Sequence, residues 1–224
     1  MTTASFPRAL VFTLGEEGFW TNDPRDSGGP TWRGETLAAF RAFRRDPHAT
    51  AAQLHAISPA ETAAFYRTLW DRVRGDDLPA GVDLSTFDAT VNTGSNAGVQ
   101  LQRVVGIGGQ AADGVIGTGT LAALAHADPV AIGLRLLAPV LRLYQDAVGL
   151  LPDGKLGPTT HATFAAHGAA VLVAALYQQH DTFYRSRPQF PVFGVGWLAR
   201  AEARARAGLR LAVAPGAELQ APIS

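Results

Sequence analysis

The chain contains no cysteine. Disulfides, thiolate nucleophiles and cysteine metal sites are excluded together. An excess of charge of either sign is also missing: 19 Lys and Arg stand against 19 Asp and Glu. Such a balance leaves no global field to draw in nucleic acid or an anionic membrane. No run of about 18 apolar residues occurs, so no segment is expected to span a bilayer. Neither a nucleic-acid partner nor membrane insertion is therefore expected. The first residues, Met1 to Arg8, lack a basic start followed by an apolar run, and read as no signal peptide.

What is present is a globular composition, 47 % hydrophobic and 17 % charged over 224 residues. That is enough for one sizeable core or two closely packed lobes. Arginines cluster at Arg41, Arg44, Arg45 and again at Arg200, Arg204, Arg206, Arg210, each cluster a candidate basic stripe. Ala9 to Gly18 reads as a short helix. Residues 19–34 carry turn and hairpin chemistry. Thr36 is placed to cap a helix reaching Arg45. Ser58-Pro59-Ala60-Glu61 reads as a capping box with proline in the first helical position. It opens a helix through Phe65, Leu69 and Val73 at helical spacing. Residues 75–83 form a plausible linker. Further helices are expected over Leu84–Val91, Gly98–Val105, Pro129–Val148, Ala169–Tyr184 and Leu198–Leu211. A loose tail begins at Val213.

One element occurs twice. Gln102 to Gly106 reads Q-x-x-V-G and is followed by Asp113 to Thr120, D-G-x-I-G-x-x-T. Gln145 to Gly149 and Asp153 to Thr160 repeat it, with Leu in place of Ile. Asp-Gly makes a tight turn and the Thr region opens a new helix. Each copy is expected to be a helix–turn–helix unit with its Val and its Ile or Leu buried. Few aromatics lie near the copies, so bracing is placed ahead of ligand contact as their role.

The stretch dense in chemistry runs from Glu16 to Gly34. Glu17 ends the first helix; Asp26 follows nine positions later, and Thr31 five after that. Hydrolysis of a glycosidic bond needs a protonated carboxyl to donate to the leaving oxygen. It also needs a second group to meet the cationic carbon or the attacking water. A glutamate desolvated against Phe19 or Trp20 would have the raised pKa a donor requires. Asp26, in a polar Gly-Gly turn, would stay ionised. Phe19, Trp20 and Trp32 offer flat faces to sugar rings. Taken singly, each residue has an ordinary structural explanation; the constellation is what points to catalysis.

Residues 17–34 resemble the signature E-G-G-Y/F-x-N-D-P-x-D-x-G-G-x-T-x-x-G of glycoside hydrolase family 108, the N-acetylmuramidases. Asn22 to Gly34 matches without a gap, while Phe19 stands at the family's second glycine. Placing Glu17 rather than Glu16 at the start keeps this register. After the last glycine the family has an aliphatic residue; here it is Glu35, expected to face solvent. Phe87 to Gly94, the Asp113 element and Phe193 to Arg200 resemble the predicted peptidoglycan-binding domain that follows in this family. The second repeat copy looks like an insertion relative to the family pattern.

The resemblance implies a mainly α, lysozyme-like catalytic lobe with a small β-hairpin, plus a helical C-terminal lobe. The expected division is 1–80 catalytic, 81–212 peptidoglycan-binding-like, and 213–224 tail. The implied reaction is muramidase hydrolysis of peptidoglycan with Glu17, Asp26 and Thr31 as catalytic residues. Phe19, Trp20, Trp32, Asp88 and Asn92 would contact substrate. No metal or organic cofactor and a monomeric state are expected. Synthesis in the bacterial cytoplasm, with release by a holin or another route, would suit a phage endolysin. The alternatives are a lytic transglycosylase, and a non-catalytic wall-binding or phage structural protein.

Overall fold

The computed structural model describes residues 5–17 and 29–217. Phe19, Trp20 and Asp26 lie outside the described residues, as does the signature between them. Within these bounds the chain is mainly α, as expected. The first helix, α1 (Ser5–Glu16), leads to a two-residue hairpin, β1 (Thr31–Trp32) and β2 (Glu35–Thr36). The strands pair antiparallel, Thr31 with Thr36 and Trp32 with Glu35. Next come α2 (Leu37–Arg44), α3 (Ala51–His55), α4 (Pro59–Arg72), α5 (Val82–Thr93) and α6 (Asn96–Val104). The rest is α7 (Thr118–Ala125), α8 (Pro129–Gly133), α9 (Ala138–Ala147), α10 (Pro158–Ala166), α11 (Gly168–Arg185) and α12 (Phe190–Val213).

Local chemistry explains most boundaries. Thr36 caps α2 by accepting from the Ala39 N–H, and Ser58 caps α4 by accepting from Glu61. The expected reciprocal arm is absent, because the Glu61 carboxylate is held by the Arg44 guanidinium instead. The stretch expected as one helix over Pro129–Val148 is two, α8 and α9. Pro139 sits in the first turn of α9, where a missing N–H costs nothing, but its ring would clash with the carbonyl four residues back if α8 ran on; Leu137, which precedes α9, is extended. Residues 75–83 are not a free linker. Gly75–Asp77 makes one 3-10 turn beneath Trp70, whose Nε1 donates to Asp76 at 3.0 Å. Helix α12 starts eight residues earlier than expected, running through Gly194 and Gly196.

One hydrophobic core runs from Ala9 and Phe12 on α1, through Trp70, Phe87 and Leu101, to Leu209 and Leu211 on α12. Its centre is α5, whose described neighbours include α1, α4, α6, α11 and α12. That position explains why nine of its twelve residues are buried, Asp88 among them. A smaller cluster of Phe40, Ala49, Leu54 and Ile57 lies beneath the hairpin. Among the described residues no single helix is long and apolar enough to cross a membrane. The pair α10 and α11 reaches that composition together, but the chain bends by 105° between them.

The duplicated element adopts one hydrogen-bond pattern twice. Gln102 Nε2 donates to Asp113 Oδ1 at 2.9 Å, to the Val115 carbonyl and to Thr120 Oγ1, while its Oε1 accepts from the Gly114 N–H. Gln145 repeats each bond with Asp153, Lys155, Thr160 and Gly154. The buried glutamine is thus the pin of each unit, crossing from helix to turn to next helix. Burial of the apolar positions differs between copies: Ile116 is 4 % exposed, but Leu156 is 46 % exposed, and Val105 and Val148 are only partly buried. Gln102→Ala and Gln145→Ala should each cost about 2 kcal/mol, since either removes the hydrogen bonds of a buried carboxamide and leaves a turn N–H without its acceptor. Urea unfolding at constant m-value measures this.

Candidate active site

Glu17 follows the last turn of α1, its N–H donating to the Thr13 carbonyl at 3.0 Å. Its side chain is 13 % exposed. Three elements converge on it. From α12, Arg200 Nη1 lies 2.8 Å from Oε1. From the hairpin turn, Gly34 presses against the carboxyl: an added Cβ would stand 2.5 Å from Glu17 Cδ and 2.6 Å from Oε2. From α4, the Tyr66 hydroxyl lies 2.8 Å from the same point and donates to the Arg33 carbonyl. Gly34 has φ +79°, so the position demands glycine both for backbone conformation and for space.

Behind Arg200 lies a buried ion cluster. Asp88 on α5 is fully buried and accepts from Arg200 Nη2 at 2.7 Å, Arg204 Nη1 at 2.9 Å and Thr13 Oγ1 at 2.9 Å. Arg204, 1 % exposed, also reaches His180 Nδ1 at 3.2 Å. Burial and the Arg204 charge push the His180 pKa well down, so the ring is neutral and Nδ1 accepts. Burial alone would raise the Asp88 pKa, but two guanidiniums outweigh it and hold the carboxyl below its usual range. Asp88 therefore stays ionised.

Glu17 behaves in the opposite way. Burial raises its pKa, and this outweighs the pull of Arg200, with the Asp88 charge adding to the rise. The cluster divides labour by charge: Arg200 orients one oxygen of Glu17, while Asp88 offsets part of the Arg200 charge. A carboxyl so placed keeps its proton at higher pH than an exposed one.

The other expected site residues separate. Thr31 is half-buried on β1, and its hydroxyl donates to the Gly29 carbonyl at 3.0 Å. Trp32 packs at a tilt of 56° against His55, with ring centroids 5.0 Å apart, and leans on the small cluster beneath the hairpin. Asn92 is exposed at the end of α5, its Nδ2 donating to the Asp88 carbonyl. Asp88, expected to touch substrate, is sealed behind Glu17 with both oxygens engaged, and acts on Glu17 by its charge and through Arg200. Arg200 and Arg204, taken with Arg206 and Arg210 as a basic stripe, point inward; their spacing of four puts both on one helix face. An aspartate one residue after Phe87 on a helix buried over nine of its twelve residues is the signal that inward cations are needed.

Glu35 also departs from its expected place. It is 1 % exposed, not solvent-facing, and neither carboxyl oxygen has a hydrogen-bond partner among the described residues. Strand alternation is the reason: Thr36 turns outward to cap α2, so its neighbour must turn inward. Burial, with the Glu61 charge nearby, pushes its pKa up to about 7. A raised folded-state pKa means the contribution is fully present below the unfolded value of 4.5 and is lost as pH rises through about 7. Stability should therefore fall by up to roughly 3 kcal/mol across that window. Glu35→Gln should flatten the profile, as thermal melts at pH 4.5 and 7.5 would show. Among the described residues, no group of three His, Asp or Glu side chains could hold a metal ion.

Residues 10–94 match the family model of glycosyl hydrolase 108. On that match the chain is a glycoside hydrolase. No curated protein matches. Among solved structures, the chain is similar to SagA of Brucella abortus, with TM-score 0.60 and 26 % identity over 93 % of this chain and 98 % of that one. The family match covers Glu17, Gly34, Tyr66 and Asp88, whereas Arg200 and Arg204 lie outside it. The similarity to SagA takes in the C-terminal helices as well.

Proposed function

We propose that the chain is an N-acetylmuramidase that hydrolyses the β-1,4 bond between N-acetylmuramic acid and N-acetylglucosamine in peptidoglycan. The observation that carries this is Glu17: a largely buried carboxyl with a raised pKa, held against the hairpin by Arg200, on a chain matching a glycoside hydrolase family. Glu17 donates its proton to the leaving glycosidic oxygen. Arg200 keeps the carboxyl aimed, and Gly34 lets the hairpin close on it. Asp26 stabilises the cationic carbon or activates water, and Thr31 positions that water.

Mass analysis of fragments released from purified peptidoglycan tests this reading. Hydrolysis leaves a reducing muramic acid end. A 1,6-anhydro end would instead make the chain a lytic transglycosylase, and no fragments would make it a wall-binding protein. A phage-endolysin role belongs to the same proposal. It requires that expression in a host lyse cells only when a holin is co-expressed.

A further inference from the structure

Helices α5 and α12 run antiparallel, and their contact has three zones. At one end the backbones nearly touch, since a Cβ on Gly81 would lie 2.1 Å from the Gly208 carbonyl oxygen. In the middle lies the ion cluster that holds Glu17. At the far end the helices part and open a cavity of about 420 Å³. Asn92 and Asn96 form one wall, Phe193 and Trp197 the other, with Arg187 and Gln189 at the rim.

The lining is unusual for an unused surface. Phe193 is 54 % exposed, although α12 has buried positions available. Its ring and that of Trp197 lie 5.8 Å apart at 31°, and Tyr184 backs Trp197 at 5.6 Å and the same angle. These rings form a braced aromatic platform. Opposite it, Asn92 and Asn96 spend their NH₂ groups on the backbone carbonyls of Asp88 and Thr93, which fixes each carboxamide and its accepting oxygen. Arg187 is held over the Phe183 ring, and no carboxylate lines the cavity among the described residues. A flat apolar face opposed by fixed amides suits a ring with one C–H face and a polar edge. The Arg187 guanidinium at the rim suits a ligand bearing a carboxylate.

Position ties the cavity to the acid. Asn92 is one turn beyond Asp88 on α5, about 6 Å along the axis, and Trp197 is one turn before Arg200 on α12, about 4.5 Å. We infer that this cavity is a subsite for an amino-sugar residue of the same glycan strand, away from the bond that is cut. The ring lies on Phe193 and Trp197, hydroxyl and acetamido N–H groups donate to the asparagine oxygens, and Arg187 takes the acidic substituent of the muramic unit. The inference rests on the muramidase reading for its ligand class, but its geometry belongs to the C-terminal helices.

The test is calorimetric titration of the full-length chain carrying Glu17→Gln, so that nothing is hydrolysed. The probes are the N-acetylglucosamine hexamer and soluble glycan strands freed of peptide. Phe193→Ala alters a mostly exposed side chain and should preserve the fold; Asn96→Ala is the second variant. Each should weaken both probes about 10-fold. Arg187→Ala should weaken only the muramic-acid-containing strands. In the chain with Glu17 intact, Phe193→Ala should raise KM with little change in kcat. Parent-like affinity in both Phe193→Ala and Asn96→Ala, or no binding of either probe by the parent, overturns the subsite. The two readings fail separately: wall cleavage with an unchanged KM in Phe193→Ala removes the subsite alone. Probe binding lost in Phe193→Ala, on a chain that releases no fragments, removes the muramidase alone.

Discussion

Glu17→Gln should lower the rate of wall lysis by about 10²-fold or more and leave the fold intact. The amide keeps the shape of the side chain but has no proton to give to a leaving oxygen. Stability should change little, because two effects oppose each other. Arg200 loses one of its two carboxylate partners, yet retains Asp88 at 2.7 Å. Against that, a carboxyl that burial disfavours in its charged form is gone. Circular dichroism and the melting temperature at neutral pH check the fold; turbidity loss of a cell-wall suspension checks the rate. Glu16→Gln is the control. Glu16 also has a pKa raised by burial, but Arg200 salt-bridges Glu17, and it is the Glu17 carboxyl that Gly34 meets. A dead Glu16→Gln beside an active Glu17→Gln would shift the catalytic register by one residue.

The second large effect concerns Asp88, which never reaches the substrate. Asp88→Asn removes the only carboxylate given to Arg204 among the described residues, leaving a cation that is 1 % exposed without its counter-ion. Breaking a buried pair from one side costs about 3–5 kcal/mol, or roughly 10 °C in melting temperature for a chain of this size. Adding Arg204→Met should recover part of the loss, because the stranded charge disappears. A purely structural role would end there, but Asp88 also raises the Glu17 pKa. Without it, Arg200 pulls harder on the Glu17 carboxyl, which then loses its proton at lower pH. The alkaline limb of the activity profile should move to lower pH in whatever fraction of Asp88→Asn remains folded. An unmoved limb would leave Asp88 as a brace only.

These two residues show where sequence reasoning reaches. Glu17 was readable as a candidate acid because its surroundings in sequence are unusual: a carboxylate at the end of a helix, before a stretch rich in Gly, Asp and aromatics. Asp88 drew notice only as part of a resembling stretch, and its role was misplaced because nothing local reveals what lies behind a helix. Its two arginine partners are more than 110 residues away. Glu35 was misplaced for a different reason. A glutamate after a glycine turn ordinarily faces water, but here the two-residue hairpin and the Thr36 cap leave it only the inward direction. The repeats were legible in full as pattern, down to the Gln, Asp and Thr that bond alike in both copies, though the exposed Leu156 was not.

The sequence by itself determined the class of the molecule. Absent cysteine, balanced charge, capping residues and helical periodicity are local or compositional properties, and they suffice for a mainly α chain with a short hairpin. It also singled out Glu17 as the candidate acid, because the motif around it is contiguous. Only the tertiary structure decided how that acid is held. The pKa of a carboxyl depends on burial and on charges within a few ångströms, and those charges come from Arg200 on the last helix and Asp88 on the fifth. Antiparallel packing of α5 on α12 brings them together, and no spacing within either helix encodes that meeting.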